Sequence, residues 1–485
     1  MKELNFRVTA LAAYIWSFFE QLGRRASGLI TTLVLTALIA PEEYAIIAVC
    51  SLVIALGNII SDAGMRVALI KSEKIEANDY SVAFTANILI ACCYVLVAYL
   101  SAGAVSNLFG VSSGTRLIQV ATVAVIANAI GYSSVANLQR NLKFKLTGIA
   151  GLVSAVSSAA SAICLAVWFD FGVWAIAFQI ISQALIYNVL CFYFSLDRPV
   201  FCWNIVRFIE LFKTSYKVQI SNFLNVFTEQ FNAPLISAFL SASLAGVYFL
   251  ATRVRDVIVG QLFTTLQQVL FPLFSGMHRD KKDILSAYRK LLVLSVNIIV
   301  PAFTILAFVL PFLLTSVLNE NWAQIRSILS ILILAAVLYP IHSINLNALK
   351  IHGDGSEFLE IEVFKKFLFF PISIIAIQFG VIALAWSELI FSFACFFVNT
   401  KYSAKIMGIG RIEQLSIFFK SAFITLIAFS VPYVIFSGLD NLVVSTALII
   451  TTFMLLYTLL LWGLDRASFS LLFSEVYHLV RRGKV

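Results

Sequence analysis

The sequence predicts an all-α integral membrane protein of about fourteen transmembrane helices, and three observations lead to this fold class. Of the 485 residues, 61% are hydrophobic and 12% are charged, whereas a soluble domain usually carries about 25% charged residues because its surface faces water. Apolar runs long enough to cross a bilayer recur along the whole chain. The net charge of +9 comes from basic residues scattered among the connections, which is typical of cytoplasmic loops and not of a nucleic-acid-binding patch.

A span needs about 20 mostly apolar residues, and this length divides the chain into fourteen segments. They cover residues 12–38, 44–61, 82–104, 117–136, 147–168, 172–194, 218–239, 246–274, 291–315, 324–348, 364–379, 381–399, 415–436 and 441–463. The weakest division is the short connection around Gly380, between the eleventh and twelfth segments. The longest connection, about residues 195–217, is an amphipathic stretch, so we expect no soluble domain.

The distribution of Lys and Arg predicts that both ends of the chain are cytoplasmic. With that orientation, all but six of the 34 Lys and Arg residues fall in cytoplasmic connections. Arg116 and Arg326 fall outside, and the other four lie within helices. Tryptophans are also expected in an aromatic belt at the outer interface, and the candidates are Trp168, Trp174 and Trp322. One missed helix would reverse every later loop, so the charge bias supports fourteen spans.

Seven charged side chains fall inside the predicted spans, where each charge at the centre of the bilayer costs about 3 kcal/mol on insertion scales. They lie in the first, seventh and eighth segments and are Glu20, Arg24, Arg25, Glu229, Arg253, Arg255 and Asp256. Helical spacing places further polar residues on the same faces, among them Asn222 and Asn225 on the seventh segment. We therefore expect three polar helix faces to enclose one water-accessible cavity instead of facing lipid.

Two interpretations of these charges stay open. They could be structural ion pairs that lock the bundle, such as Glu20 with Arg24 at a spacing of i,i+4. Alternatively, four Arg against three carboxylates give the cavity a slight positive excess, which suits an anionic head group because guanidinium groups bind phosphate oxygens in a fork. The sequence has no Gly-rich phosphate loop, so we do not expect ATP hydrolysis, and its isolated His and scattered Cys residues predict no metal site.

The chain is also predicted to contain an internal repeat. Residues 39–45, which close the first segment, are similar to residues 240–246, which close the seventh. Two pseudo-symmetric six-helix lobes then occupy residues 1–205 and 206–410, and residues 411–485 hold the last two helices and a cytoplasmic tail. In transporters built from such halves, the substrate binds between the halves near the middle of the membrane.

Five motifs carry a resemblance to a known family. They are Asp62-Ala-Gly-Met-Arg-Val-Ala-Leu-Ile-Lys71, Leu138-Gln-Arg-Asn-Leu-Lys-Phe-Lys145, Phe171-Gly-Val-Trp-Ala175, Ala245-Gly-Val-Tyr-Phe-Leu-Ala251 and Leu270-Phe-Pro-Leu-Phe-Ser275. The chain resembles the polysaccharide exporters of the MOP (multidrug/oligosaccharidyl-lipid/polysaccharide) superfamily, close to the Wzx-type lipid-linked oligosaccharide flippases of the colanic-acid-exporter group. The resemblance runs from about Trp16 to Gly410, with one departure at Ala45, where the family usually has Gly.

The resemblance implies a V-shaped cavity formed by helices 1, 2, 7 and 8, and alternating access. The cargo would be an undecaprenyl-pyrophosphate-linked oligosaccharide, moved from the cytoplasmic to the periplasmic leaflet of the inner membrane for exopolysaccharide, O-antigen or capsule biosynthesis. The polymerase and the chain-length regulator of the same pathway would be protein partners. No cofactor is implied beyond a coupling gradient of H⁺ or Na⁺.

Within this resemblance, the position of each candidate residue in the predicted helices implies a role. The pyrophosphate or acidic sugars would meet Arg24, Arg25, Arg253 and Arg255, and the same cavity would be lined by Asn222 and Asn225. The carboxylates that pair with these Arg residues, or carry the coupling cation, would be Glu20, Glu229 and Asp256.

Three other functions stay open. A cation-coupled small-molecule or drug antiporter of the same superfamily would favour an acidic cavity, whereas Arg predominates among the predicted intramembrane charges. A membrane glycan polymerase or ligase would need a larger outer loop than the short ones predicted here. A non-transporting scaffold of a glycan assembly complex is the third.

Overall fold

The computed structural model describes residues 21–482 except residues 24, 73, 196, 277–280, 353, 354 and 440. The described part is helical, with short connections and no β-strand. After α1 (residues 21–23 and 25–35), the helices are α2 (Pro41–Asp62), α3 (Met65–Lys71), α4 (Ala77–Leu108), α5 (Thr115–Ala121), α6 (Val123–Ala129), α7 (Tyr132–Arg140), α8 (Phe144–Phe169), α9 (Val173–Phe194), α10 (Ile205–Phe239), α11 (Ala242–Gly276), α12 (Lys281–Val317), α13 (Ile325–Ala335), α14 (Tyr339–His352), α15 (Gly355–Ile377), α16 (Val381–Met407), α17 (Arg411–Phe436), α18 (Leu442–Leu464) and α19 (Arg466–Arg482).

Ten stretches of the described residues are long and apolar enough to cross a membrane. They coincide with the second to sixth, ninth, tenth and twelfth to fourteenth predicted segments. The seventh, eighth and eleventh segments fall on α10, α11 and α15, which carry more polar side chains, and the first is described only from residue 21. The chain is therefore a multi-pass membrane protein, and the count of fourteen spans stays a prediction.

Two predicted spans are interrupted helices. The fourth segment divides into α5, α6 and α7, and at the last break Gly131 packs so closely against Asn188 that a Cβ would collide with it. The tenth segment divides into α13 and α14 through a 3-10 turn at Ala336–Leu338. Pro340 follows this turn, and proline both lacks an N–H and clashes with the carbonyl four residues earlier, which explains the break.

By contacts, the chain forms two compact units. The first comprises Met1–Val257, Leu318–Trp322 and Ile377–Val381, and the second comprises Ile258–Val317, Ala323–Ala376 and Ile382–Val485. The first unit thus includes α10 and the first part of α11. The lobe boundaries at residues 205 and 410 stay a prediction.

Small residues set the helix spacing in part of the first unit. The face of α8 that is buried carries Gly148, Gly151, Ala155, Ala162 and Ala166, among other small residues, and α8 packs against α9. Small residues at intervals of three or four let helix backbones approach closely in a membrane.

One tryptophan of the predicted outer belt lies elsewhere. Trp168 is 77% exposed and Trp174 is 39% exposed, as a belt residue should be, whereas Trp322 is fully buried. Its ring makes an edge-to-face contact with Tyr44 at 5.1 Å between centroids. Trp322 is therefore a packing residue, because the short turn that carries it folds back onto α2.

The second unit combines an aromatic core with a buried polar chain. The core of α17 and α18 contains Ile424, Ala428, Phe429, Phe453, Tyr457 and Leu461. Across α12, α14 and α17, Tyr288 donates a hydrogen bond to Asn345, whose amide nitrogen donates to Gln414 at 3.0 Å. Paired polar side chains of this kind satisfy one another where lipid and packed side chains offer no water.

Candidate functional site

A charged recess lies between α10 and α11 within the first unit. The side chains that line it are Glu229, Gln230 and Ala233 of α10 and Tyr248, Phe249, Thr252, Arg253 and Asp256 of α11. They recur mostly at intervals of three or four along each helix, so each set shares a helix face. The recess therefore combines polar groups from two neighbouring helices.

Arg253 connects this recess to a third helix. Its guanidinium carbon lies 4.9 Å from the centre of the Phe249 ring, one turn earlier on α11. Its Nη2 donates a hydrogen bond to the Oγ of Ser51 on α2 at 3.2 Å. The guanidinium is thus held from two sides and keeps further N–H groups with which it can bind an anion.

The three charged residues of the recess are exposed. Glu229, Arg253 and Asp256 are all exposed, although α10 and α11 contain the seventh and eighth predicted spans. Lipid contact would cost about 3 kcal/mol for each charge. The recess is therefore a place for water or a polar ligand.

Arg255 uses its charge differently from Arg253. Its Nε and Nη2 both donate to the Oδ1 of Asp256, at 2.9 and 2.8 Å. The side chain of Arg255 is 17% exposed, whereas that of Asp256 is 56% exposed. Arg255 therefore holds Asp256 at the recess without lining the recess itself.

A close approach of two helices places Arg253 within reach of Ser51. Gly246, in the first turns of α11, packs against the carbonyl group of Pro41 at the start of α2, and a Cβ at residue 246 would overlap that backbone. Nearby, the Nδ2 of Asn232 on α10 donates to the hydroxyl of Tyr248 at 3.3 Å, and both residues are buried. These contacts join α2, α10 and α11 around the recess.

The structure brings together three of the nine predicted site residues, namely Glu229, Arg253 and Asp256. Asn222 is exposed and Asn225 is half-buried on α10, and neither lines the recess. Arg25 is half-buried on α1, and its Nη1 is buried without a hydrogen-bond partner among the described residues. Glu20 and Arg24 lie outside the described residues. The functional roles assigned to these residues stay predictions.

Sequence reasoning missed several residues around the recess. Phe249 had a detectable signal, because it precedes Arg253 by four residues and so faces the same side of the helix. Gln230 and Thr252 adjoin charged positions that were recognised. Ser51 gave no signal, since it lies within an apolar helix and meets Arg253 only through packing.

The recess is more acidic than the cavity expected from sequence. Two carboxylates, Glu229 and Asp256, and one guanidinium, Arg253, line it, whereas the cavity predicted from the sequence has four Arg against three carboxylates over three helices. A guanidinium that shares a recess with two carboxylates can exchange partners, because it binds either a carboxylate or an anionic ligand.

Comparison with known proteins identifies the family of the chain. The polysaccharide biosynthesis protein family matches residues 34–327, which is more than half of the sequence. The chain belongs to that family. This confirms the family resemblance predicted from the motifs at Asp62–Lys71 and elsewhere.

Two relatives within this polysaccharide biosynthesis group illustrate the range of similarity. Succinoglycan biosynthesis transport protein ExoT of Rhizobium meliloti (strain 1021) is 26% identical over 267 residues, which cover 55% of this chain and 54% of ExoT. Lipopolysaccharide biosynthesis protein WzxC of Escherichia coli (strain K12) is 21% identical over 377 residues, covering 77% of this chain and 76% of WzxC. The chain thus spans about half of the length of ExoT and about three quarters of that of WzxC.

Solved structures share the fold of this polysaccharide biosynthesis protein. The lipid II flippase MurJ in an inward closed conformation matches with a TM-score of 0.75 and 16% identity, covering 94% of this chain and 99% of MurJ. An inward-facing multidrug resistance MATE family transporter of the MOP superfamily matches with a TM-score of 0.58 and 13% identity, covering 80% of this chain and 96% of the transporter. These matches confirm the predicted all-helical fold.

Proposed function

We propose that the chain is a flippase that moves an undecaprenyl-pyrophosphate-linked oligosaccharide from the cytoplasmic to the periplasmic leaflet of the inner membrane. The observation that carries this proposal is the exposed guanidinium of Arg253 in a recess among membrane helices. The names of the relatives add support, since one is a succinoglycan transport protein and another a lipopolysaccharide biosynthesis protein. A lipid-linked saccharide suits such pathways, and its diphosphate offers oxygens that a guanidinium can bind in a bidentate fork.

In the proposed binding step, Arg253 forms charge-assisted hydrogen bonds to the pyrophosphate oxygens. Phe249 and Ser51 hold the guanidinium in place, so that little side-chain freedom is lost on binding. Arg24, Arg25 and Arg255 stay candidates for further contacts with the phosphates or with acidic sugars during the transport cycle. Asn222 and Asn225 would line the path on α10.

Coupling to an ion gradient follows from the two carboxylates beside Arg253. When Glu229 and Asp256 are ionised they attract Arg253 and compete with the phosphates. Binding of H⁺ or Na⁺ removes that competition, because a neutralised carboxylate no longer attracts the guanidinium. In this scheme the cation and the substrate bind the recess in linked steps, and Glu20 is a further candidate carrier. The polymerase and chain-length regulator would receive the product.

The test is transport of a fluorescent undecaprenyl-pyrophosphate-linked oligosaccharide in proteoliposomes, with and without an imposed H⁺ or Na⁺ gradient. We expect Arg253→Ala to lower the transport rate at least about tenfold, which corresponds to losing about 1.4 kcal/mol or more of substrate interaction. Arg326→Ala is the matched control, because Arg326 also lies 4.9 Å from an aromatic ring, that of Phe312, but does not line the recess. Equal rates for both variants and the parent protein would refute the assignment.

The composition of the recess also favours a second candidate function, a cation-coupled small-molecule antiporter. Two carboxylates and one guanidinium line the recess, a balance that also suits a cationic substrate. The same vesicles loaded with a cationic dye distinguish the two functions. Dye efflux without glycan movement would support the antiporter, and movement of neither would favour a scaffold.

A further inference from the structure

α10 is longer than a membrane span requires. Its 35 residues, Ile205–Phe239, extend about 52 Å at 1.5 Å per residue, whereas the apolar core of a bilayer is about 30 Å thick. The first third carries Arg207, Glu210 and Lys213, and the recess residue Glu229 lies on the same continuous helix. A displacement at the start of α10 can therefore reach the recess through a helix that has no proline between these points.

Arg207 fastens the start of α10 to α4. Its Nε and Nη2 donate to the two carboxylate oxygens of Asp79 at 2.7 and 2.8 Å, and Nη2 also donates to the carbonyl oxygen of Lys74 at 3.3 Å. Asp79 is 5% exposed, and its Oδ2 accepts a hydrogen bond from the backbone nitrogen of Glu76 at 2.9 Å. Hydrogen bonds to Asp79 and Glu210 raise the pKa of Arg207, so the guanidinium stays charged.

Uncharged contacts also hold the first turns of α10. Leu211 is 2% exposed in an apolar cluster with Ala63 and Met65, and two further contacts join α10 to the turn between α2 and α3. Gly64 has φ +73°, and a Cβ there would lie 2.6 Å from the Oγ of Ser215. The side-chain nitrogen of Gln219 donates to the carbonyl oxygen of Ile59. All these contacts are apolar or neutral, whereas the bidentate ion pair is charged and directional, and a single substitution can release it selectively.

We propose that the Arg207–Asp79 ion pair is a latch on the cytoplasmic side of the recess. While the pair is closed, the start of α10 stays against α4 and the recess is shut off from the cytoplasm. When the pair opens, this end of α10 moves away and admits the polar part of the substrate. The proposal rests on the alternating access of the proposed function, but its test requires no transport.

The test measures cytoplasmic access to the recess. Gln230→Cys places a thiol on the recess wall, and a membrane-impermeant maleimide is added to inside-out vesicles, with labelling of the native thiols measured in the chain that keeps Gln230 and subtracted. We expect Asp79→Asn to raise the labelling rate several-fold. Arg207→Gln should raise it by a similar factor, and the double variant should show no further increase, because both changes open the same pair.

Glu210→Gln is the matched control. Glu210 also pairs with Arg207, at 2.9 Å, but it belongs to α10 itself and does not connect the helix to α4. Its substitution should leave the labelling rate unchanged. The latch is refuted if Asp79→Asn and Arg207→Gln label like Glu210→Gln, or if their effects add in the double variant. If the Asp79→Asn protein does not accumulate, the same question is decided with two variants of Arg207. These are Arg207→Gln and Arg207→Lys, and the lysine keeps one charged contact with Asp79. If the labelling rates support the latch but the parent protein transports no glycan, only the proposed function is rejected.

Discussion

Arg253 lies with its guanidinium 4.9 Å from the centre of the Phe249 ring and 3.2 Å from the Oγ of Ser51. At the residue scale, these contacts replace part of the hydration that the charge loses among membrane helices. A cation–π contact contributes about 0.5–2 kcal/mol, and a hydrogen bond to a charged group about 1.5–3 kcal/mol. Together they are comparable with the insertion cost of about 3 kcal/mol, so Arg253 can stay charged and accessible.

Phe249→Leu tests the contribution of the aromatic ring. Leucine keeps an apolar contact but removes the face that attracts the cation, a loss of about 1 kcal/mol. We expect the apparent affinity for the lipid-linked glycan to fall about fivefold while the maximal transport rate changes little. The measurement is the transport rate in proteoliposomes at varied substrate concentration. Phe312→Leu removes the equivalent contact from Arg326 and should leave both parameters unchanged; a similar loss of affinity there would argue against a specific role for Phe249.

At the element scale, the position of Arg253 depends on how closely α11 approaches α2. Gly246 allows that approach, because its missing Cβ leaves room for the backbone of Pro41. Ala45 occupies the corresponding place of the predicted repeat and is fully buried. The departure from Gly at Ala45 is therefore tolerated there, whereas the second copy of the repeat requires Gly at its position.

Gly246→Ala should destabilise the packing of these two helices. The added methyl group meets backbone atoms, which cannot rotate away, so we expect a loss of about 1–3 kcal/mol in the free energy of unfolding. Gly103→Ala is the control, because a Cβ at residue 103 of α4 meets no atom within 4 Å. There the better helix propensity of alanine should stabilise by up to about 1 kcal/mol. Thermal unfolding in detergent measures the stability of both variants. Equal unfolding midpoints for Gly246→Ala and Gly103→Ala would show that the contact between residue 246 and Pro41 is not tight.

On the scale of the whole molecule, the apolar helices and the basic connections give complementary information about which segments cross the membrane. Ten stretches are apolar enough to span a membrane, while α10, α11 and α15 are long enough but carry more charged side chains. A helix that is polar on one side can still cross the bilayer if that side faces a cavity. The positive-inside distribution is what predicts that these helices cross the membrane too.

Reporter fusions test the resulting topology of fourteen spans. Alkaline phosphatase fused after Ser243, in the first turn of α11, should be active because that connection is predicted outside. The same enzyme after Arg198 should be inactive, and a green fluorescent protein after Val485 should fluoresce, since both positions are predicted cytoplasmic. A dark fluorescent fusion at the C-terminus would place that end outside and would contradict the predicted orientation.

The sequence alone determined the fold class, the family and the helices that carry the charges of the recess. It could do so because a bilayer tolerates few patterns: long apolar helices, basic inner loops and rare charges that must face a cavity. Even the break at Gly380 between α15 and α16 was predictable from the residues around it.

The tertiary structure alone decided which charges meet. It placed Glu229, Asp256 and Arg253 in one recess and paired Arg255 with Asp256. It also placed Ser51 within hydrogen-bond distance of Arg253, from which it is separated by 202 residues in sequence. It buried Trp322 and packed Gly131 against Asn188 at a break in the fourth predicted span. Helical periodicity fixes the face on which a side chain lies, but its partner depends on the distance and rotation between packed helices, and these follow from contacts such as Gly246 against Pro41 that no local pattern encodes.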